Sequence, residues 1–186
     1  MSTAQIETPR ILLRQWRLED RDPFSRINAD CEVMRYFPYC LSRDQSDAYA
    51  DHFESLIRKR GWGFWAAESR ADRCFIGFVG LNIPAPDLPF KPCVEIGWRL
   101  ARNAWHQGYA TEAARACLHF GFEKLQLPEI VSFTTLGNQR SKAVMKRLGM
   151  IEDPLRFQHP SVPEGSPLRE HCLYRISSAS WRSSQG

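Results

Sequence analysis

The sequence lacks the closely spaced cysteine pairs that mark zinc sites and dithiol redox centres. Its six cysteines are scattered, with no C-x-x-C pair and no histidine beside them at metal-ligand spacing: Cys31, Cys40, Cys74, Cys93, Cys117 and Cys172. Structural zinc sites need such clustered ligands. We therefore expect no bound metal. We also expect most of these cysteines to be small buried apolar residues, as free cysteines commonly are.

Long apolar runs are also absent. No uninterrupted apolar run approaches the ~20 residues that a membrane-spanning helix needs. The first twenty residues do not show the basic-then-apolar order of a secretory signal. Charges of both signs are spread through them instead: Glu7, Arg10, Arg14, Arg17, Glu19 and Asp20. These absences predict a cytoplasmic protein without a membrane partner.

Charge of one sign is not concentrated anywhere. The formal net charge of +4 favours an anionic ligand without requiring one. The only short basic run, Arg58 to Arg60, stands just before Gly61 at the end of a predicted helix, where it complements the helix dipole. No basic stripe and no known nucleic-acid reader motif is present. We therefore expect no nucleic-acid partner.

What the sequence does contain fits one globular domain spanning residues 1–186, with a core at about residues 8–177. The chain has 186 residues, of which 43% are hydrophobic and 25% charged. The predicted strands are RILLRQW, GFWAAES, CFIGFVGLNI, CVEIGWRLA, EIVSFTT and PLREHCLYRIS. The predicted helices are LEDRDPFSRIN, QSDAYADHFESLIRKR, the segment after Gly108 and NQRSKAVMKRLGM. Residues Ser177 to Gly186 are expected to form a tail.

The segment PAPDLPFKP contains four prolines in nine residues. Because proline donates no backbone hydrogen bond, this segment must be a loop. It is a candidate flap beside a substrate, and an inert surface loop explains it equally well.

The stretch NAWHQGYATEAARACLHFGFEKL combines a glycine-centred turn with the best-specified helix of the chain. Its apolar residues follow the i, i+3, i+4, i+7 series, which predicts one buried helix face. They are Ala110, Ala113, Ala114, Cys117, Leu118, Gly121, Phe122 and Leu125. A strand before this helix and another after it make a βαβ-like unit, with the helix packed on one side of a sheet.

The turn before this helix is a candidate anion site. A helix N-terminus presents unpaired N–H groups, and a glycine lets an anion approach them, so residues Gln107 to Thr111 could cradle a phosphate. A P-loop would need Gly-Lys-Ser/Thr, whereas Gly108 is followed by Tyr109. A dinucleotide fingerprint would need three glycines. On spacing alone, an anion site and a plain helix start both remain open.

The segment WHQGYATEA, directly after the strand VEIGWRLA, is similar to the acetyl-coenzyme A loop of the GNAT superfamily, which reads Q/R-x-x-G-x-G/A. Residues Trp105 to Ala110 occupy its six places, and Gly108 and Ala110 match it. Trp105 replaces Gln or Arg, as is familiar in the RimJ/RimL-like branch that resembles ribosomal-protein N-terminal acetyltransferases. His106 replaces a frequent glycine. The resemblance extends over residues 8–177 through TPRILLRQWRLED, FIGFVGL, NQRSKAVMKRLGM and HCLYRI.

This resemblance implies an α/β (mixed α+β) fold. Its central mixed sheet would be mostly antiparallel, with about six to seven strands flanked by helices, and split to admit coenzyme A. It implies acetyl-coenzyme A as the acetyl donor, held by Trp98, Arg99, Leu100, Trp105, His106, Gln107, Gly108, Tyr109, Ala110, Thr111, Asn138 and Ser141. It also suggests that Tyr36, Phe37 and Tyr39 shape the acceptor groove, although aromatic residues in such segments more often serve core or rim packing.

The chemistry implied is attack of a neutral primary amine on a thioester, which needs a proton acceptor, an oxyanion donor and protonation of the thiolate. Alternation along VEIGWRL places Glu95 on the opposite face from Ile96. Glu95 is the candidate base, since burial would raise the pKa of its carboxyl. A solvated or salt-bridged strand carboxylate is the alternative. The oxyanion donor would be a backbone N–H near Trp98 to Leu100.

Asn138 and Ser141 form a second candidate pair. Asn138 is explained as the N-cap of the helix that follows, with Gly149 as its left-handed stop. The family resemblance instead implies that Asn138 binds the pantetheine arm and that Ser141 protonates the thiolate. Many members of the superfamily use a tyrosine a few residues later, where this chain has Val144 and Met145.

The leading hypothesis is therefore an N-acetyltransferase that acts on a primary amine. The branch resemblance suggests a protein N-terminal α-amine, and a small-molecule amine such as an antibiotic or polyamine stays open because the deciding loops vary independently of the fold. The alternative from another functional class is a non-catalytic module that binds acyl-coenzyme A. A phosphate-binding regulatory domain is a more distant alternative. The sequence leaves open whether the chain is a monomer or a homodimer.

Overall fold

The computed structural model describes residues 4–84 and 87–184, and within them one sheet of eight strands forms the centre of the fold. The strands are β1 (Ile6–Glu7), β2 (Ile11–Arg14), β3 (Phe64–Ser69), β4 (Phe75–Asn82), β5 (Glu95–Leu100), β6 (Glu129–Thr135), β7 (Ile151–Gln158) and β8 (Glu170–Ser177). Their order is β1-β2-β3-β4-β5-β6-β8-β7, and every neighbouring pair is antiparallel except β5 and β6. The expected mixed, mostly antiparallel sheet is thus confirmed.

Five α-helices flank the described part of the sheet. They are α1 (Arg21–Ala29), α2 (Arg43–Arg60), α3 (Tyr109–His119), α4 (Gln139–Arg147) and α5 (Ser178–Ser183). The predicted end of α2 is confirmed, because Gly61 caps it in the left-handed conformation with φ of 82°. No helix in the described ranges is both long enough and apolar enough to cross a bilayer.

The helices divide between the two faces of the sheet. On one face, the Phe53 ring of α2 lies 5.2 Å from Phe64 of β3, and the Phe24 ring of α1 lies 6.0 Å from Phe78 of β4. On the other face lie α3 and the π-helical turn Phe120–Lys124 that continues it. Glycine is required within that turn, because a Cβ on Gly121 would lie 2.6 Å from Ile130 Cδ1. Each face of the sheet is therefore buried under its own helical layer.

The parallel neighbours β5 and β6 are joined over a very short stretch. The pair Glu95 and Val131 forms their ladder, where the Val131 N–H donates to the Val94 carbonyl over 3.0 Å. The Ser132 hydroxyl adds a hydrogen bond to the Ile96 carbonyl at 2.9 Å. From Gly97 onward the described residues form no further β5–β6 pair. The sheet is therefore split at its centre, as the resemblance implied.

The expected strand count of six to seven was too low, because two short or irregular edge strands escaped prediction. Strand β1 has only two residues, too few to show an alternating pattern. Strand β7 contains Pro154, and its register against β8 shifts between Glu152 and Arg156. Proline is tolerated there because β7 is an edge strand with a bulge, where no ladder hydrogen bond is required.

The expected tail after Ser177 was wrong for the described residues 177–184, which include the helix α5. The Ser177 hydroxyl caps this helix by accepting from the Ser180 N–H over 3.1 Å. The Trp181 side chain is only 2% exposed, and its ring lies 5.8 Å from Phe122. A single aromatic side chain thus anchors a segment whose other residues look like tail sequence.

We predict that Trp181→Ala destabilises the protein by about 3 kcal/mol, because it removes a buried indole and leaves a cavity. Urea denaturation measures this loss. The matched control is Arg182→Ala, whose side chain is 57% exposed, and it should change the free energy of unfolding by less than about 0.5 kcal/mol. Equal stabilities for the two variants would show that α5 does not pack on the core.

The expectation that most cysteines are buried was also wrong. Cys117 and Cys172 are buried and Cys93 is half-buried, whereas Cys31, Cys40 and Cys74 are exposed. The exposed ones lie outside the helices and strands, at the protein surface, where connecting segments normally run. The Sγ atoms of Cys31 and Cys40 lie 3.4 Å apart.

Candidate active site

The split between β5 and β6 opens into a cleft of about 1780 Å³. Nearly all of the residues singled out in the sequence line it: Tyr36, Phe37, Tyr39, Glu95, Trp98, Arg99, Leu100, Trp105, His106, Gly108, Tyr109, Ala110, Thr111, Asn138 and Ser141. Gln107 is the exception, because its side-chain amide donates to the Asn103 carbonyl over 2.7 Å. The roles assigned to these residues stay predictions, and the structure supplies their geometry.

The turn before α3 presents a row of free backbone donors. The first backbone hydrogen bond of this helix runs from the Glu112 N–H to the Gly108 carbonyl at 3.0 Å. In the described part of the chain, the N–H groups of residues 106–111 have no hydrogen-bond partner. Gly108 adopts φ of 81°, which turns the chain into the helix, and a Cβ at this position would lie 3.4 Å from Arg10 Nη2. The arrangement is an anion cradle of the kind found at helix N-termini.

His106 also adopts a left-handed backbone conformation, with φ of 61°. This conformation costs a residue with a Cβ about 1 kcal/mol, so the structure gives a reason for the glycine that the resembling loops frequently carry there. The free N–H groups of the cradle are present with histidine in place. His106 therefore does not block the free backbone N–H groups of this turn.

Arg10, which immediately precedes β2, contacts both the turn that forms the cradle and the first turn of α3. Its guanidinium pairs with Glu112 at 2.6 Å, donates to the Gln107 carbonyl at 2.9 Å and lies 4.8 Å from the Tyr109 ring centroid. These contacts tie the turn and the first turn of α3 to the sheet. Sequence reasoning missed this role because 102 residues separate Arg10 from Glu112.

Glu95 lies at the mouth of the split, on the face of the sheet opposite to α3. Its Oε1 accepts a hydrogen bond from Asn82 Nδ2 over 3.0 Å. Burial raises the pKa of the Glu95 carboxyl to about 7, and the Asn82 hydrogen bond opposes this shift. The buried Asn82 Oδ1 has no hydrogen-bond partner among the described residues. Asn82 is a site residue that the sequence did not reveal, because only the β4–β5 register places it opposite Glu95.

The backbone of β5 offers donors to the same cleft. Its N–H groups alternate between β4 and the split. The Ala101 N–H donates to Ile76 on the β4 side, whereas the Ile96 carbonyl faces β6. By this alternation the N–H groups of Trp98 and Leu100 point into the split, where β6 no longer pairs with them. They are therefore free to donate to a ligand in the split, and their role as oxyanion donors stays a prediction.

Asn138 and Ser141 lie on the β6 side of the cleft. Asn138 Oδ1 accepts from the Ser141 N–H over 3.2 Å, so Asn138 is the N-cap of α4, and its Nδ2 donates to Thr134 Oγ1 over 2.9 Å. Gly149 follows the helix with φ of 80°, as expected. The Ser141 hydroxyl forms no hydrogen bond within the described residues and lines the cleft. It is free to serve a ligand.

Basic side chains surround the α3–α4 end of the cleft. Arg115, Arg140 and Arg147 line it, and the Arg140 guanidinium lies 4.3 Å from the Trp105 ring centroid. Arg115 also donates to the Arg147 carbonyl over 3.0 Å, which joins α3 to α4. This cluster places positive charge beside the anion cradle. The sequence pattern missed it because its members come from two helices.

Comparison with known proteins agrees with this architecture. Residues 10–151 match a family model described as Acetyltransferase (GNAT) domain. YkkB of Bacillus subtilis is 32% identical over 150 residues, which cover 79% of this chain and 85% of that protein. The FsC-acetyl coenzyme A-N(2)-transacetylase of Aspergillus fumigatus is 26% identical over 183 residues, covering 95% of this chain and 77% of that one.

Among solved structures, RimL, titled a ribosomal L7/L12 alpha-N-protein acetyltransferase in complex with coenzyme A, shares the fold with a TM-score of 0.73. It is 15% identical, and the match covers 94% of this chain and 98% of that one. Enzymes of the GNAT family take their acetyl group from acetyl-coenzyme A. Because the family model matches residues 10–151, which are most of the chain, the chain belongs to the GNAT family and is an N-acetyltransferase.

Proposed function

We propose that this chain, acting as one catalytic domain over residues 1–186 with its core near 8–177, transfers acetyl from acetyl-coenzyme A to a primary amine by direct attack on the thioester. The observation that carries the proposal is the position of two groups in one cleft. A cradle of free N–H groups at residues 106–111 and the buried Glu95 carboxyl both line the split between β5 and β6.

The residues present fit acetyl-coenzyme A. The free N–H groups at the start of α3 suit a pyrophosphate, and the basic cluster of Arg115, Arg140 and Arg147 suits its remaining phosphate. Asn138 and the exposed edge of β5 border the channel that a pantetheine arm would follow. When bound, this co-substrate supplies an activated acetyl thioester and a thiolate leaving group.

Three groups of the chain then carry the chemistry. Glu95 accepts a proton from the acceptor amine, directly or through one water, because a pKa near 7 leaves about half of these carboxyls ionised at neutral pH and more basic than an ordinary carboxylate. The N–H of Trp98 or Leu100 donates to the acetyl oxygen as negative charge develops there. The Ser141 hydroxyl, which has no other hydrogen bond among the described residues, donates the proton that the departing sulfur needs.

For the acceptor, we propose a protein N-terminal α-amine. The RimJ/RimL-like sequence pieces and the name of the RimL structure support it. A small-molecule amine is the second candidate, since the 26% identical Aspergillus fumigatus relative is named FsC-acetyl coenzyme A-N(2)-transacetylase, a name that specifies acetyl transfer to a nitrogen numbered N(2).

The test is acetyl transfer measured by mass spectrometry. The purified chain is incubated with acetyl-coenzyme A and, separately, with unblocked peptides, with the same peptides blocked at the N-terminus, and with polyamine and aminoglycoside amines. Mass gain on unblocked peptides alone supports the proposed acceptor, and mass gain on the small amines alone supports the second candidate. Binding of acetyl-coenzyme A without transfer to any amine would instead support a non-catalytic module.

We predict that Ser141→Ala lowers kcat by about 10- to 100-fold with little change in acetyl-coenzyme A affinity, because the departing thiolate loses its proton donor. The control is Ser161→Ala, which also removes a hydroxyl from the lining of the cleft but lies on the loop after β7. Single-turnover kinetics measure the chemical step. An unchanged single-turnover rate in Ser141→Ala would assign the proton to water.

A further inference from the structure

Arg99 is a cleft residue whose charge has no counterion. Its Nη1 donates to Asn28 Oδ1 over 2.6 Å, and its buried Nε has no hydrogen-bond partner in the described ranges 4–84 and 87–184. Among those residues, no carboxylate lies within ion-pair distance of this guanidinium. Burial lowers the pKa of Arg99 to about 10, so its charge is retained at neutral pH.

Keeping a cation in this position is costly. A half-buried charge without a counterion loses hydration that a neutral amide partner replaces only in part. The rings of Phe37 and Phe78, with centroids 4.1 Å and 5.5 Å from the Arg99 Cζ, return some of this cost through cation–π contact. The remaining cost is recovered if an anion binds at the open side of the cleft.

Arg99 and Glu95 lie on the same strand and on the same face of the sheet. Both residues project from β5 on the face opposite to α3, with Gly97 between them. Gly97 contributes no side chain, and the space above it is bordered by the Phe64 ring, whose Cε1 would lie 3.1 Å from a Cβ at this position. Their Cα atoms are four residue steps apart along the strand, which is roughly 13 Å. A carboxylate and a guanidinium thus lie on one face of β5, on either side of the Phe64 ring, and both line the cleft.

We propose that Arg99 binds a carboxylate of the acceptor, so that the preferred substrates are primary amines that carry a carboxylate several bonds away from the amine. This inference deepens the proposed function and rests on it, since it places the amine at Glu95. The carboxylate belongs either to a small amino acid or to an acidic side chain near the N-terminus of a peptide.

The family resemblance implies that Arg99 helps to hold the cofactor. Its main chain points to β4 by the alternation described above, and its side chain lies on the opposite face from α3 and the anion cradle. The aromatic loop residue Phe37, expected at the acceptor groove, stacks on it. The position of the side chain therefore favours a role towards the acceptor.

The test compares acceptors that differ only in charge. ω-Amino acids of increasing length are compared with their amides, and peptides with Asp at positions two to four are compared with the same peptides carrying Asn. We expect kcat/KM to be at least tenfold higher for the carboxylate member of the best-matched pair. In Arg99→Gln this ratio falls to about one. In the control Arg102→Gln, whose side chain is 64% exposed, the ratio is unchanged.

A binding measurement separates this inference from the proposed function. The same carboxylate and amide pairs are titrated calorimetrically onto the protein, which needs no turnover. Tighter binding of the carboxylate, lost in Arg99→Gln and partly kept in Arg99→Lys, supports the inference even if transfer fails. Equal affinity of the wild type for both members of every pair overturns it, even if acetyl transfer to amines is observed. Preference within the amino-acid pairs or the peptide pairs identifies the source of the carboxylate.

Discussion

Glu95→Gln slows acetyl transfer by a factor of about 100 to 1,000, because the amide keeps the shape of the side chain and removes the proton acceptor. Affinity for acetyl-coenzyme A, measured by calorimetry, stays within about twofold. The expected loss therefore appears in kcat. The control is Glu123→Gln, at an exposed carboxylate on the π-helical turn that pairs with Arg182, and it should leave the rate unchanged.

The pH dependence identifies the group responsible. With burial raising its pKa to about 7, Glu95 is protonated and inactive as a base below that pH. In the wild type, kcat/KM should rise with pH and bend near pH 7. In Glu95→Gln this bend disappears, and the remaining dependence follows the ionisation of the acceptor amine. A bend that persists in the variant would assign the base to another group.

The same substitution should stabilise the fold at alkaline pH. The pKa of Glu95 rises from an ordinary value of 4.5 to about 7 on folding, so the folded state binds its proton more tightly than the unfolded chain. Stability from this group therefore falls between pH 4.5 and pH 7 and stays low above it. Glu95→Gln removes the destabilisation caused by the buried, ionised carboxylate, which is about 1–3 kcal/mol at pH 8. At pH 4 the two proteins should unfold at the same urea concentration.

Gly108→Asp abolishes binding of acetyl-coenzyme A. Aspartate tolerates the left-handed backbone that φ of 81° requires, so the variant folds. Its carboxylate, however, adds a negative charge next to the free N–H groups, on a Cβ that would lie 3.4 Å from Arg10 Nη2, and it therefore repels a pyrophosphate bound at this turn. A ligand at ~100 times its dissociation constant adds ~2.7 kcal/mol to the wild type, which raises Tm by about 5–10 °C. The variant should show no such rise.

Gly61→Asp is the matched control for this experiment. Gly61 has φ of 82°, almost the same as Gly108, and a Cβ there would meet no atom within 4 Å. Both substitutions therefore impose the same backbone strain, but only Gly108 lies at the cradle. Acetyl-coenzyme A should still raise the Tm of Gly61→Asp. If it raises the Tm of Gly108→Asp equally, the pyrophosphate does not bind at this turn.

Local signals in the sequence predicted much of the fold and part of the site. The end of helix α2 was predicted from its basic last turn and the Gly61 stop, and β6 was predicted with the bounds that it has. The cradle was predicted because a glycine followed by an amphipathic helix has local consequences for backbone N–H groups. Missed elements had weak local signals. Strand β1 is too short for a pattern, β7 contains Pro154, and α5 is anchored by one tryptophan.

The sequence by itself predicted the fold class and the family, because the motifs that carry the resemblance are short runs of neighbouring residues. For the turn at Gly108, its spacing left an anion site and a plain helix start both open. Tertiary structure alone decided the contacts between distant segments. It placed Asn82 beside Glu95, Arg10 next to the turn before α3, and Arg99 on the face opposite to α3, where no carboxylate of the described residues pairs with it. The register of β4 on β5 sets the positions of Asn82, Glu95 and Arg99, and a change in this pairing by one residue would turn each side chain to the other face. The contact of Arg10 with Glu112 depends instead on the packing of α3 beside β2.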